Sequence, residues 1–469
     1  MMGARVTVNG EILAARYDGV SITALAGLSF DWGRDSIYDD VDPGILRFRV
    51  IDRDGSWSTD ASRVGQPVTV ERTGPDRVIF RGTIASAKPR REKALNPVTL
   101  VREPVWIVDV QASSTVADLA MAVFVGDSAA STVEGLGGWS ERGPVTRIDL
   151  LLAAGASTII DSVERPPAIV AAEETTSRMR SIDASRAATA LEIIEGAYKT
   201  RPLGFVDYDP ANNAIKLGRL SVASNVVLTY SGGRTTIVIP SGRVIPAARI
   251  ATAQGYTAET TVANAIDVVE HDYTWYGKDP ALSQGSQKRT TYLSRIATAL
   301  TRRATGRTRR VLKLDASLIE LDPSEFLAGS VAAYNRAIPW LLNEVVKIVD
   351  SVNNQLRLPV LRFDDRRLPL GDAGLTELIY TPVTQTMPLY LAGSVFNGLQ
   401  NAGPQYQIIG GTFTYDKGWT HDVTVAPCRT TAREPLTISQ LFGNSDATWA
   451  SFDDSIALND LSTVTQGLS

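Results

Sequence analysis

Two histidines, His271 and His421, and one cysteine, Cys428, make up the whole supply of the side chains that most readily act as bases or nucleophiles near neutral pH. His271 stands in Glu270-His271-Asp272-Tyr273, where flanking acids could orient an imidazole as a general base. No nucleophile motif accompanies it: the chain has no G-x-S-x-G, no H-E-x-x-H and no P-loop. The pattern fits a surface residue on a strand edge. His421 and Cys428, seven positions apart, are too few for a four-ligand zinc site. Asp39-Asp40-Val41-Asp42 could offer carboxylate oxygens to calcium, but beside Pro43-Gly44 it reads as a solvated turn. Asp52-Arg53-Asp54-Gly55 begins like an EF-hand loop, yet a strand precedes it and the distant bidentate Glu is missing, so a hairpin turn is expected. No catalytic, cofactor-binding or metal-ligating residue is assigned.

The chemistry left is recognition. Arg302, Arg303, Arg307, Arg309 and Arg310, with Lys313, form the one dense basic run, and lack the interleaved aromatics that stack on single-stranded nucleic acid. They read as a helix end followed by an exposed strand face, and as candidate contacts to an acidic partner. Lys88-Pro89-Arg90-Arg91 reads as a loop. Trp449 and Phe452, isolated among Asp, Ser and Asn near the C-terminus, are candidate partner contacts as well. Forty-seven Lys and Arg against fifty-one Asp and Glu give a formal net charge of -4, which disfavours a global nucleic-acid face. Two other function classes stay open: a cell-wall hydrolase working through paired carboxylates, and a carbohydrate- or receptor-binding module, against which the 7% aromatic content argues.

These residues must be positioned by more than one core, because 469 residues exceed the roughly 250–300 that a single core supports. With 44% hydrophobic and 21% charged residues the chain has ordinary globular composition. Met1 to Gly10 reads as the start of a strand rather than a signal peptide, and no apolar run approaches the ~18 residues of a membrane span. Period-two runs (Val6 and Val8; Leu46, Phe48 and Val50; Val68 and Val70; Val78 and Phe80), broken by Asn9-Gly10 and Asp54-Gly55, predict a small antiparallel barrel or sandwich, taken as an N-terminal β-barrel over residues 1–108. The period then lengthens. Val116, Leu119, Ala120 and Val123, then Ile148, Leu151 and Leu152, then Ala187, Leu191, Ile194 and Tyr198 mark helices in a mixed α/β region over 109–204. A second barrel-like β-domain is expected over 205–430, with Gly232-Gly233 and Pro240-Ser241-Gly242 as turns. Within it, Leu293, Ile296, Ala297 and Leu300 predict a helix ending at Arg302 and Arg303, and Asp322-Pro323-Ser324-Glu325 a helix start. A closing hairpin turns at Asp416-Lys417-Gly418, and 431–469 reads as an extension that docks on a partner. The fold class expected is β-rich α+β, with two small antiparallel barrel-like domains around a helical region.

The order of four segments resembles the minor tail proteins of siphophages infecting actinobacteria, of the type similar to the baseplate hub of contractile phages. They are the barrel run Gly44–Gly55 continuing to Gly65–Val70, the stretch Arg147–Gly155, the helix-strand unit Ala187–Asp209, and the hairpin Ile409–Thr420; Thr448–Asp454 is similar to the Thr- and Trp-rich ends of such proteins. The resemblance implies a structural, non-enzymatic virion protein of the tail tip, assembled in the host cytoplasm. It implies a homotrimer whose six barrels form a ring around the channel for the tape-measure protein and then DNA, which meets the chain only in passage. Its implied partners are further copies of itself, the distal tail protein, the tape-measure protein and other tip proteins, with no cofactor and no stable membrane insertion.

Overall fold

A computed structural model describes residues 3–13, 23–35, 39–73, 76–96, 98–128, 138–140, 142–164, 177–179, 181–182, 187–198, 205–218, 227–231, 234–238, 244–246, 250–252, 268–278, 287–297, 311–321, 361–364, 387–393 and 405–427. Seven strands open the chain: β1 (Gly3–Val8), β2 (Glu11–Leu13), β3 (Thr23–Gly33), β4 (Ile45–Asp52), β5 (Pro67–Thr73), β6 (Arg77–Leu95) and β7 (Arg102–Ser114). Alternation explains them: in β4, Leu46, Phe48 and Val50 point inward and Arg47 and Arg49 outward, so one face enters a core and the other meets water. The turn after β4 is held by Asp52, whose Oδ1 accepts from the Gly55 N–H at 2.9 Å and whose Oδ2 accepts from Trp57 and Ser58 at 3.1 and 2.8 Å.

Helices follow where the period lengthens: α1 (Thr115–Met121), α2 (Pro144–Ala153) and α3 (Ala190–Tyr198). Pro144 at the start of α2 lacks an N–H that would be orphaned there anyway. A capping box opens α3, with Thr189 N–H donating to Glu192 and Glu192 N–H donating to Thr189 Oγ1. Short strands β8 (Ser162–Val163) and β9 (Ser177–Met179) lie between α2 and α3, and β10 (Phe205–Asp209) and β11 (Ala214–Gly218) follow α3; β10, β11 and β8 make a three-stranded sheet. These pieces share a second core containing Leu119, Ile148, Leu151, Ile194, Tyr198 and Ile215.

The remaining strands are β12 (Val227–Ser231), β13 (Arg234–Val238), β14 (Val244–Pro246), β15 (Ile250–Thr252), β16 (Val268–Lys278), β17 (Gln287–Ala297), β18 (Val311–Leu321), β19 (Leu361–Asp364), β20 (Met387–Gly393), β21 (Gln405–Tyr415) and β22 (Trp419–Pro427). β12 and β13 pair antiparallel with Ser231 opposite Arg234, as the hairpin expectation requires, while the predicted turn residues Gly232-Gly233 lie outside the described residues. The closing hairpin is present too, with Lys417 at φ 61° in its turn. One end of β21 pairs with β20 and the other with β3, so the hairpin belongs to the same sheet as the first strands. That sheet has 15 strands, running from β14 through β20, β21 and β3 to β2. Among the described residues its ladder closes no ring. Side chains bridge part of the gap: one core takes residues from β1 through β7, β21 and β22, and the Trp419 indole donates to the Gly3 carbonyl at 3.2 Å.

Three local expectations need correction. Leu293, Ile296 and Ala297 lie on strand β17, not a helix; Thr290, Thr291 and Tyr292 suit a strand, and eleven residues pair with β16. Lys88-Pro89-Arg90-Arg91 is inside β6 rather than in a loop, and Pro89 is tolerated because β5 pairs no further than Thr83 and, among the described residues, no other strand pairs with that side of β6. His271 is not at a strand edge: β16 is paired by β17 on one side and β18 on the other. The predicted helix start at Asp322–Glu325 and the extension 431–469 lie outside the described residues.

Candidate functional site

The sequence-predicted contact residues Arg302, Arg303, Arg307, Arg309, Arg310, Trp449 and Phe452, and Cys428, lie outside the described residues. Lys313 falls on β18, opposite Glu270 of β16. The structure does not bring His271 and His421 together as one site: His271 is in the four-stranded sheet of β17, β16, β18 and β9, and His421 is in the 15-stranded sheet. No group of three or more His, Cys, Asp or Glu among the described residues is placed to hold a metal.

His421 is fully buried on β22. Its ring stacks on Phe413 at 3.7 Å, and Phe413 stacks on Phe30 at 4.9 Å. Trp32 Nε1–H donates to His421 Nε2 at 3.0 Å. An indole N–H only donates, so Nε2 is the unprotonated nitrogen and the ring is neutral. This histidine anchors the hairpin to β3. Gly33 completes the anchor: at φ +84° it lets Ile409 pass, and an added Cβ would lie 2.2 Å from the Ile409 carbonyl oxygen.

The second arrangement joins the two cores. Arg34 leaves the end of β3 with 2% exposure and donates to the Asp207 carboxylate of β10 at 2.8 Å and to the Val206 carbonyl at 3.3 Å; Asp207 is 4% exposed. Around it, Arg81 donates to the Pro210 carbonyl at 2.6 Å, Thr83 donates to Asp118 at 3.1 Å, and Tyr208 bonds Thr115 at 2.9 Å. Burial raises the Asp118 carboxyl above its ordinary value, with the Thr83 hydroxyl opposing. Burial also pushes the Tyr208 phenol up. A cavity of about 40 Å³ between Phe30, Phe80, Asp42 and Tyr208 is roomy enough for a water molecule and too small for an organic substrate.

The third is the acidic run. Asp39, Asp40 and Asp42 are exposed around buried Val41, with exposed Asp35 nearby. Burial, then repulsion from Asp42, Asp35 and Asp40, raises the Asp39 carboxyl, and Arg34 pulls it back. The run is a concentration of negative charge at the surface.

Sequence reasoning missed Arg34 and Asp207, which no motif marks. The available signal was an acid on the predicted strand Phe205–Tyr208, where an inward carboxylate requires a cation.

No family model matches the chain, and no curated protein matches it. Solved structures do. The prophage MuSo2 43 kDa tail protein from Shewanella oneidensis is 12% identical over 92% of this chain and 98% of its own, with a TM-score of 0.47. The E. coli c3393 protein, a type VI secretion component described as structurally similar to T4 bacteriophage tail proteins gp27 and gp5, is 10% identical over 91% and 77%, with a TM-score of 0.41. The prophage tail protein gp18 from Listeria monocytogenes EGD-e is 9% identical over 90% and 94%, with a TM-score of 0.36. Likeness at these TM-scores fixes no role for this chain.

Proposed function

We propose that the chain is a structural component of a phage tail tip, a hub that joins the distal tail protein to the central tip and surrounds the tape-measure and DNA channel. The observation that carries this is the order of barrel run, helical segment, helix-strand unit and closing hairpin in the sequence. The structure supports it with a β wall in which the last described hairpin returns to β3, and with a helical unit held to that wall by a buried ion pair. Such construction suits a load-bearing part. In this reading three copies form the ring, each giving two barrel-like β-units, and Arg302, Arg303, Arg307, Arg309, Arg310, Trp449 and Phe452 contact neighbouring tip proteins. A net charge of -4 is compatible with a channel that DNA passes without being held by counterion release.

Copy number in purified tails, by quantitative mass spectrometry and imaging of the tip, tests it. Three copies at the distal end of the tube are expected. One copy per particle, or a position away from the tip, overturns it.

A further inference from the structure

The first hairpin of the chain has a chemically reactive turn. β1 and β2 pair with Val8 opposite Glu11, so Asn9 and Gly10 make up the whole loop, at φ 46° and 84°. A two-residue loop of this kind needs both central residues in the left-handed region, which Asn-Gly enters with little strain. Both residues are exposed, and a Cβ built on Gly10 would meet nothing within 4 Å, so the Gly10 nitrogen is unhindered. The Asn9 N–H donates to the Pro67 carbonyl at 3.0 Å, which holds the backbone and leaves the side-chain amide in solvent.

The comparable positions are tied down. The Asn96 amide donates to Glu103 at 2.9 Å, the Asn212 amide to Asp209 at 2.7 Å and the Asn213 amide to the Ile159 carbonyl at 3.1 Å, whereas among the described residues no hydrogen bond holds the amide of Asn9. Asn96 is followed by Pro97, which has no N–H to lose, and Asn212 and Asn213 are followed by residues that carry a Cβ. In the Asp54-Gly55 turn the Gly55 N–H already donates to Asp52 Oδ1 at 2.9 Å. The Ser56 N–H also holds the Asp54 carboxyl below its ordinary value, so it is ionised and a poor electrophile.

We propose that Asn9 is a site of spontaneous deamidation and isomerisation in the folded protein, with water as the only co-reactant. The Gly10 nitrogen bonds to Asn9 Cγ, the Cγ–Nδ2 bond breaks, and the amide nitrogen leaves as ammonia with the Gly10 proton, which closes a succinimide ring. Water then opens the ring at either carbonyl. Cleavage at Cγ gives aspartate, and cleavage at the main-chain carbonyl gives isoaspartate, in which the chain runs through the side chain. Ring closure requires the turn to open. β2 is three residues long and lies at the end of its sheet, so few bonds resist that opening. The two products differ in effect. Aspartate tolerates the left-handed region much as asparagine does and adds one charge in solvent. Isoaspartate lengthens the backbone of a loop that has no slack, so Val8 cannot stay opposite Glu11, Leu13 leaves the first core and Glu11 leaves Arg63.

Peptide mapping of the full chain, aged at mildly alkaline pH and physiological temperature and labelled by isoaspartyl methyltransferase, tests this. The tryptic peptide of residues 6–16 should gain the mass of deamidation and the methyl label, at a rate within about tenfold of the same peptide free in solution, because an edge turn opens easily. Peptides containing Asn96, Asn212 or Asn213 should lag behind it. Asn9→Gly, which suits φ 46° and has no amide to lose, should abolish label in that peptide. The isoaspartyl fraction, separated by ion exchange, should melt below the wild type, while Asn9→Asp should melt with it. A free peptide that converts while Asn9 of the folded chain stays intact overturns the proposal, and so does conversion first at Asn96, Asn212 or Asn213. An isoaspartyl fraction that melts with the wild type overturns the loss of register.

Discussion

Replacing Asp207 with Ala should destabilise the protein by about 3–5 kcal/mol, because it leaves the Arg34 guanidinium buried without its counter-charge. The two side chains are 0% and 5% exposed and meet at 2.8 Å, so solvent does little to screen either. Arg34→Met should cost a similar amount by stranding the carboxylate. If the costs were independent, the double variant Arg34→Met, Asp207→Leu would lose their sum. Instead it should lie within about 2 kcal/mol of the wild type, since removing both charges also removes both desolvation penalties. Urea unfolding followed by tryptophan fluorescence measures the cycle. The pair spans two cores, so the single variants should split one transition into two, with hydrogen exchange showing the helical unit opening first. A single substitution costing under about 1 kcal/mol, or a double variant matching the sum of the singles, would refute the reasoning.

Three further outcomes are expected. Gly33→Ala should cost more than about 1–3 kcal/mol, since strain at φ +84° adds to a backbone clash with Ile409, and protection should fall first in residues 405–427 by hydrogen exchange. His421→Leu should cost about 1–3 kcal/mol by removing the acceptor of the Trp32 N–H, with His421→Gln recovering part of it in the same unfolding assay. The Asp118 carboxyl is raised in the folded state, so its contribution is present below its unfolded value of 3.8 and lost as pH rises through the folded value; the ionised form costs stability at neutral pH. Asp118→Asn should therefore hold or raise the thermal midpoint at pH 7, with the gain shrinking as pH falls toward 4, and a lower midpoint at pH 7 would contradict this.

Much of the fold was legible where a signal is local. Leu46, Phe48 and Val50 announce β4, Gly232-Gly233 announces a hairpin, and Leu191, Ile194 and Tyr198 announce α3. What failed was set by distant partners. Leu293 and Ile296 have helical spacing, but pairing with β16 decides their state. Lys88 to Arg91 resembles a loop, yet β7 holds it as a strand. The junction was illegible because Arg34 and Asp207 are 173 positions apart. Their pairing depends on the finished topology.

The return of β21 to β3 has a consequence for synthesis. The first seven strands emerge from the ribosome roughly 290 residues before the hairpin that covers the edge of β3. At ~5–20 residues per second, that edge and the Phe30 side of the core wait about 15–60 s for their partner. A nascent chain with a vacant strand position is exposed to capture by neighbouring chains for that whole interval. Slower translation of the middle of the gene should lower the yield of native protein even though it changes no residue.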